Sequence, residues 1–146
     1  MAAIELCDLS ATEDLGQRVG RALRVGDLLV LSGELGSGKT SFVRGLARGM
    51  GLANKVQSPS FQLLRLYRSG GCQLAHADAY RMSPGELADL GIEELLEAMP
   101  VAVEWGERLG LERWPGCCWL AFEHAPRGRR VIARAGPGHL ARALEP

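Results

Sequence analysis

Apolar and polar residues alternate from Ala3 to Cys7 as they would in a short strand, after which Leu15, Val19 and Leu23 fall at helical spacing on one stripe. Ser10-x-x-Glu13 reads as a capping box that opens this helix and carries it to about Arg24. Asp27 to Leu31 is then almost continuously apolar, the pattern of a strand buried on both faces. It runs directly into Gly33 to Thr40, and Phe42, Val43, Leu46 and Met50 mark a second helix. Beyond Gly51 two short apolar runs, Phe61 to Tyr67 and Cys72 to Ala77, flank Arg68-Ser69-Gly70-Gly71 and predict a hairpin. Ser83-Pro84-Gly85-Glu86 is a second capping box, which starts a helix toward Leu90 that restarts after Gly91. Pro100 to Val103 predicts a buried strand ending in Glu104. Trp119 to Glu123 and Arg130 to Arg134 predict two more strands joined through Pro126-Arg127-Gly128. Helices interleaved with buried strands predict one α/β domain over 1–146, with a mixed, mostly parallel sheet flanked by helices.

Length and charge narrow the function. At 146 residues there is space for one core and no separate catalytic domain. Lys+Arg and Asp+Glu both number 17, so no broad basic surface exists to hold DNA or bare tRNA, and any tRNA role is expected to be indirect. The four cysteines, Cys7, Cys72, Cys117 and Cys118, lack C-x-x-C spacing and are expected as buried thiols. His76, His124 and His139 are scattered, which gives a zinc site little support. The N-terminus has neither a basic start nor a long apolar run, so a cytoplasmic protein without a membrane anchor is expected.

Gly33-Glu34-Leu35-Gly36-Ser37-Gly38-Lys39-Thr40 satisfies G-x-x-x-x-G-K-[ST] between a predicted strand and a predicted helix, the context that makes it a phosphate loop. A polyphosphate is a dense anion. Successive backbone N–H groups answer it where glycines allow close approach, and the following helix adds the positive end of its dipole. Lys39, one of only two lysines with Lys55, would reach the β- and γ-phosphates. The Thr40 hydroxyl would ligate Mg2+. A metal and an attacking water also need acids. Glu104 at the end of its strand is placed as a Walker-B type acid, and Asp78 ends the run Leu74 to Ala77. Both would converge on the phosphates if their strands run parallel to Leu28 to Leu31, the alternative for each being a solvated strand-end carboxylate or a helix cap. Ser58-Pro59-Ser60-Phe61 falls where such proteins place a hydroxyl that senses the γ-phosphate. Trp105 beside Glu104 is read as core, the alternative being that it packs near the nucleotide. Arg127, Arg129, Arg130 and Arg134 form a group that would either supply charge to the phosphates or line a solvated hairpin.

With these residues in order, the chain resembles the TsaE (YjeE) family, the small ATPase of bacterial tRNA threonylcarbamoyladenosine synthesis. The match covers most of the length and rests on Ala11-Thr12-Glu13-Asp14-Leu15-Gly16, Gly33 to Ser41, Val43-Arg44-Gly45, Ser58 to Phe61, Asp78-x-Tyr80-Arg81, Glu86-Leu87 with Leu90-Gly91, and Glu104-Trp105-Gly106-Glu107. The resemblance implies a P-loop ATPase, slow alone and stimulated by partners of the TsaB and TsaD type. With TsaC, these install a threonylcarbamoyl group on an adenosine beside the anticodon. It implies that Leu35, Gly36, Ser37, Gly38, Lys39 and Thr40, with Ser41 following, hold the phosphates of ATP. Thr40 and Glu104 would hold Mg2+, and Asp78 would orient metal or water. Thr12 is implied on the adenine side, with Glu107 and Arg129 as further nucleotide contacts. Ser60 stands for the usual Thr, Ala77 and Ala79 for Phe and Leu, and Gly106 for Pro, departures that bear on rates more than on identity.

Two other readings stay open on the residues alone. A small-molecule kinase would need a substrate pocket and an arginine-bearing lid. An interaction module would bind nucleotide without meaningful turnover. A GTPase is disfavoured because Asn54-Lys55-Val56-Gln57 lacks the acid that recognises guanine.

Overall fold

The computed structural model describes residues 3–34, 36–52 and 64–145. Strand β1 (Ala3–Leu6) leads into helix α1 (Leu9–Ala22). The helix is capped by Asp8, not by Ser10 as the capping-box reading expected. Asp8 is extended (φ −156°) and its carboxylate accepts from the Ala11 amide at 2.8 Å, whereas Ser10 already sits inside the first turn. The helix also ends earlier than Arg24, because Leu23 turns extended.

Strand β2 (Leu28–Ser32) and helix α2 (Lys39–Gly49) follow, then the hairpin β3 (Leu64–Ser69) and β4 (Cys72–Asp78). Phe61 to Leu63 of the predicted hairpin, and Asn54 to Gln57, lie outside the described residues. The second capping box forms as expected: Ser83 accepts from the Glu86 amide while Glu86 accepts from the Ser83 amide, starting α3 (Pro84–Asp89). Helix α4 (Ile92–Leu96) restarts after Gly91, and β5 (Val101–Glu104) ends in the expected glutamate. Two 3-10 turns at Gly106–Leu109 and Leu111–Arg113, and a final helix α5 (Gly138–Ala143), were not foreseen. Between them lie β6 (Cys118–Ala125) and β7 (Gly128–Ala135).

The 7-stranded sheet has the order β1-β7-β6-β2-β5-β4-β3. Strands β6, β2, β5 and β4 run parallel at its centre, and the antiparallel pairings are confined to the hairpins and to the β1–β7 edge. Alternation along the central strands splits the core in two. Leu29, Leu31 and Ala102 face Leu15, Phe42 and Leu46 of α1 and α2, while Leu28, Val30, Val101 and Val103 face Ile92 and Met99 on the other side. Helices α1 and α2 touch backbone to backbone. A Cβ on Gly16 would collide with the Phe42 carbonyl, and one on Gly45 with the Glu13 carbonyl. That contact fixes α2, and with it the loop before it, against the sheet.

Of the cysteines, Cys117 and Cys118 are buried as expected, but Cys7 and Cys72 are exposed. Cys7 follows the last residue of β1, and Cys72 is the first residue of β4.

Candidate nucleotide site

The site is built at the carboxyl ends of the parallel strands. The β2–β5–β4 register sets Leu31 beside Glu104 and Glu104 beside Asp78, so the condition for the two acids to converge is met. The loop after β2 turns through Gly36 (φ 76°) and Gly38 (φ 107°), the latter serving as the N-cap of α2. Left-handed backbone at those two positions is what glycine permits, and a helix that starts at Lys39 leaves its first amides without partners inside the helix. Nothing lies within 4 Å of where a Gly36 Cβ would stand. Leu35 is outside the described residues, as are Ser58 to Phe61.

Lys39 is buried, and its ammonium is held by the Gly33 carbonyl while lying 4.0 Å over the centre of the Trp105 ring. Burial pushes this ammonium below its ordinary value, against the pull of Glu104, Glu107 and Asp78, which all face it. Thr40 donates its hydroxyl to Glu104, 3.2 Å from Oε1 and 3.3 Å from Oε2. Glu104 is only 4% exposed. Burial raises the Asp78 carboxyl above its usual range, with the charge of Glu104 adding to the effect, although the Tyr80 amide donates to Asp78 Oδ1 at 3.0 Å.

A cleft of about 270 Å³ runs along this surface, lined by Gly36, Gly38, Lys39, Thr40 and Ser41, with Asp78, Glu104 and Arg129. Thr12 is fully buried at its edge, its methyl 3.5 Å from where a Gly38 Cβ would be. Ser37 is buried with its hydroxyl unpaired. Glu107 reaches Lys39 electrostatically but has one buried oxygen without a partner.

Two readings change. Trp105 is a wall of the cleft as well as a neighbour of the second core cluster, because its left-handed backbone (φ 58°) swings the ring under Lys39. The arginine group divides: Arg129 lines the cleft, Arg130 pairs with Glu5 at 2.7 Å, Arg134 lies over Trp119, and Arg127 is exposed in the turn.

Several site residues were missed in the sequence. His76 Nε2 lies 2.6 Å from Glu104 Oε2, and Tyr67 Oη lies 3.3 Å from His76 Nδ1. A histidine inside an otherwise apolar strand, two residues before Asp78, was the available signal. Leu9 lines the cleft while 53% exposed, and Tyr80 packs on Trp105 with ring centres 4.8 Å apart. Arg108 ties down the segment after Asp78 by donating to the carbonyls of Ala79 and Tyr80.

The donor set fits a magnesium ion: a hydroxyl and a carboxylate are hard oxygen ligands, and they meet beside a loop whose Ser37 hydroxyl is buried without a partner. Among the described residues no group of three or more His, Cys, Asp or Glu side chains is placed to hold a metal ion. No helix among the described residues is long and apolar enough to cross a membrane.

A family model described as threonylcarbamoyl adenosine biosynthesis protein TsaE matches residues 6–131. The tRNA threonylcarbamoyladenosine biosynthesis protein TsaE of Bacillus subtilis is 38% identical over 128 residues, covering 86% of this chain and 73% of that protein. The protein of the same name from Streptomyces coelicolor is 47% identical over 98 residues, covering 64% of this chain and 66% of its own length. The crystal structure of Bacillus subtilis YdiB superposes with a TM-score of 0.78 at 25% identity, covering 97% of this chain and 90% of that one.

Proposed function

The chain belongs to the TsaE family of threonylcarbamoyl adenosine biosynthesis proteins, and from that premise we propose that it is a Mg2+-dependent ATPase serving threonylcarbamoyl modification of tRNA. The meeting of Thr40 and Glu104 beneath a glycine-turned loop is the observation that carries this reading. The amides at the start of α2 bind polyphosphate by direct N–H donation and by the helix dipole. Lys39 exchanges its Gly33 carbonyl for phosphate oxygen, a better partner for an ammonium. When bound, the metal would neutralise phosphate charge as it develops. Thr40 and Glu104 would hold it. Asp78, half-buried and beside Glu104, orients water on the same side.

Hydrolysis is slow in the isolated protein because, among the described residues, the rim of the cleft is exposed to water at Leu9, which lines it, and at Tyr80, which packs on its Trp105 wall. A partner seated on that rim completes the site. TsaB- and TsaD-type proteins are the partners the family resemblance implies, and tRNA reaches the protein through them.

Calorimetric titration with ATP and Mg2+ tests the binding step. Replacing Lys39→Ala removes a charge-assisted contact of about 2–3 kcal/mol and weakens binding roughly 100-fold. A pull-down from cell extract then tests the role: a tRNA-modifying complex is recovered by the wild type in an ATP-dependent way and lost with Lys39→Ala. Rapid phosphorylation of a free metabolite instead would establish the kinase reading.

A further inference from the structure

The least expected group near the cleft is an imidazole with no access to solvent. His76 lies in the middle of β4, is 0% exposed, and is flanked in sequence by Ala75 and Ala77, both fully buried. Burying a polar ring is unfavourable unless both nitrogens are satisfied, and a leucine would fill the same space without that cost. Both nitrogens are satisfied here by specific partners: Tyr67 Oη at Nδ1 and Glu104 Oε2 at Nε2.

Strand register makes this arrangement. Tyr67 on β3 pairs with Leu74, two residues before His76, and His76 pairs with Ala102, two residues before Glu104. A shift of two residues keeps a side chain on the same face of a sheet. The three groups therefore form one diagonal row across β3, β4 and β5, on the face covered by α2, and the row ends at the Thr40 hydroxyl. An ionised carboxylate only accepts, so the proton between His76 and Glu104 belongs to Nε2. In the neutral imidazole Nδ1 is then an acceptor, and the Tyr67 hydroxyl donates to it.

We propose that His76 is the positioning residue for Glu104: it clamps Oε2 from the buried side, so that the carboxylate presents Oε1 and the Thr40 hydroxyl to the cleft in one fixed orientation, and Tyr67 holds the imidazole in the tautomer that does so. This rests on the proposed function, since a fixed carboxylate matters only if Glu104 holds a metal. Groups behind a ligating side chain typically change metal affinity or activity by about 10- to 100-fold when removed.

The test uses His76→Leu, His76→Gln and Tyr67→Phe. Gln is chosen because its amide nitrogen reaches the place of Nε2. Two affinities are measured by calorimetry: ATP without metal, and Mg2+ in the presence of saturating ATP. His76→Leu is expected to raise the half-saturating Mg2+ concentration about 10- to 100-fold and leave metal-free ATP binding within about twofold. His76→Gln restores most of the loss, and Tyr67→Phe lies between. Equal losses with and without metal, or no rescue by Gln, would overturn the assignment and leave His76 as a packing residue.

Nitrogen NMR of the imidazole supplies a nucleotide-independent reading. A protonated Nε2 that changes its signal in Glu104→Gln is expected, and an Nε2 without a proton overturns the clamp whatever the protein binds. If the wild type binds no ATP while the imidazole signal is as expected, it is the ATPase reading that fails. The positioning role falls with it, and the pairing survives as core structure.

Discussion

Thr40 and Glu104 stand 64 residues apart in the chain, yet the first turn of α2 and the last residue of β5 bring hydroxyl and carboxylate within 3.2 Å. The amides proposed to bind phosphate and the acid proposed to hold the metal thus belong to separate elements joined at one point. Glu104→Gln keeps the shape and a hydrogen-bonding oxygen but removes the charge. ATP binding through the loop is expected to persist within a few fold, and turnover to fall roughly 100-fold or more. Single-turnover measurement of phosphate release checks this, and turnover equal to the wild type would remove Glu104 from its role.

Asp78 gives a prediction about pH. Its folded-state carboxyl is raised by burial above the ordinary 3.8, so in the interval above 3.8 the folded protein binds more protons than the unfolded chain. The stability this supplies is complete below 3.8 and is lost as pH rises through the raised value. At neutral pH the ionised, half-buried carboxylate is therefore unfavourable. Asp78→Asn retains the acceptor for the Tyr80 amide, and its Tm is expected to exceed the wild type's at pH 7. The difference should shrink as the pH approaches 4. The same variant should hydrolyse ATP more slowly, the usual conflict between a functional charge and stability.

The phosphate loop, β2 and α2 were legible because their signals are local: an apolar run, glycines at fixed offsets, a helical stripe. The Ser83 capping box was legible for the same reason. The first helix start was not. A cap depends on which single residue is extended, and Asp8 and Ser10 are chemically equivalent candidates until backbone angles are known. The His76–Glu104 pair needs the β4–β5 register, which no local pattern contains. The sequence does not separate a core position for Trp105 from one near the nucleotide, because the positive φ that turns the ring toward Lys39 leaves no trace in the residue pattern.

Gly45 tests how closely the site depends on the α1–α2 contact. An added methyl meets the Glu13 carbonyl and the Gly16 Cα, both backbone, so neither yields without moving a helix. Gly45→Ala should destabilise the fold by about 2–3 kcal/mol, as overpacking does. At this chain length that lowers Tm by roughly 5–10 °C. Because α2 carries at its start the amides proposed to bind phosphate, ATP affinity should fall too. Gly116→Ala is the control: nothing lies within 4 Å of its Cβ position, and it should melt with the wild type.

The four thiols divide sharply by environment, and their chemistry should follow. Cys7 and Cys72 are exposed at strand ends, so they are open to a reagent. Burial pushes the Cys118 thiol up to about 12, with Cys117 and Asp27 adding to the effect, and burial raises Cys117 as well. Neither carries appreciable thiolate at neutral pH, and neither is open to a reagent. Iodoacetamide on the native protein at pH 8 should therefore add two groups, on Cys7 and Cys72, and four after denaturation, as counted by intact mass. The same raised thiols give an alkaline prediction. The folded state holds the proton on Cys118 that the unfolded chain releases near 9, so the stability this supplies is complete below 9 and is lost as pH climbs from 9 toward 12. Cys118→Ala should flatten that decline in Tm. A wild-type Tm that stays level across the interval, or rapid alkylation of Cys118 in the native state, would show that the thiol is not held in the core as described.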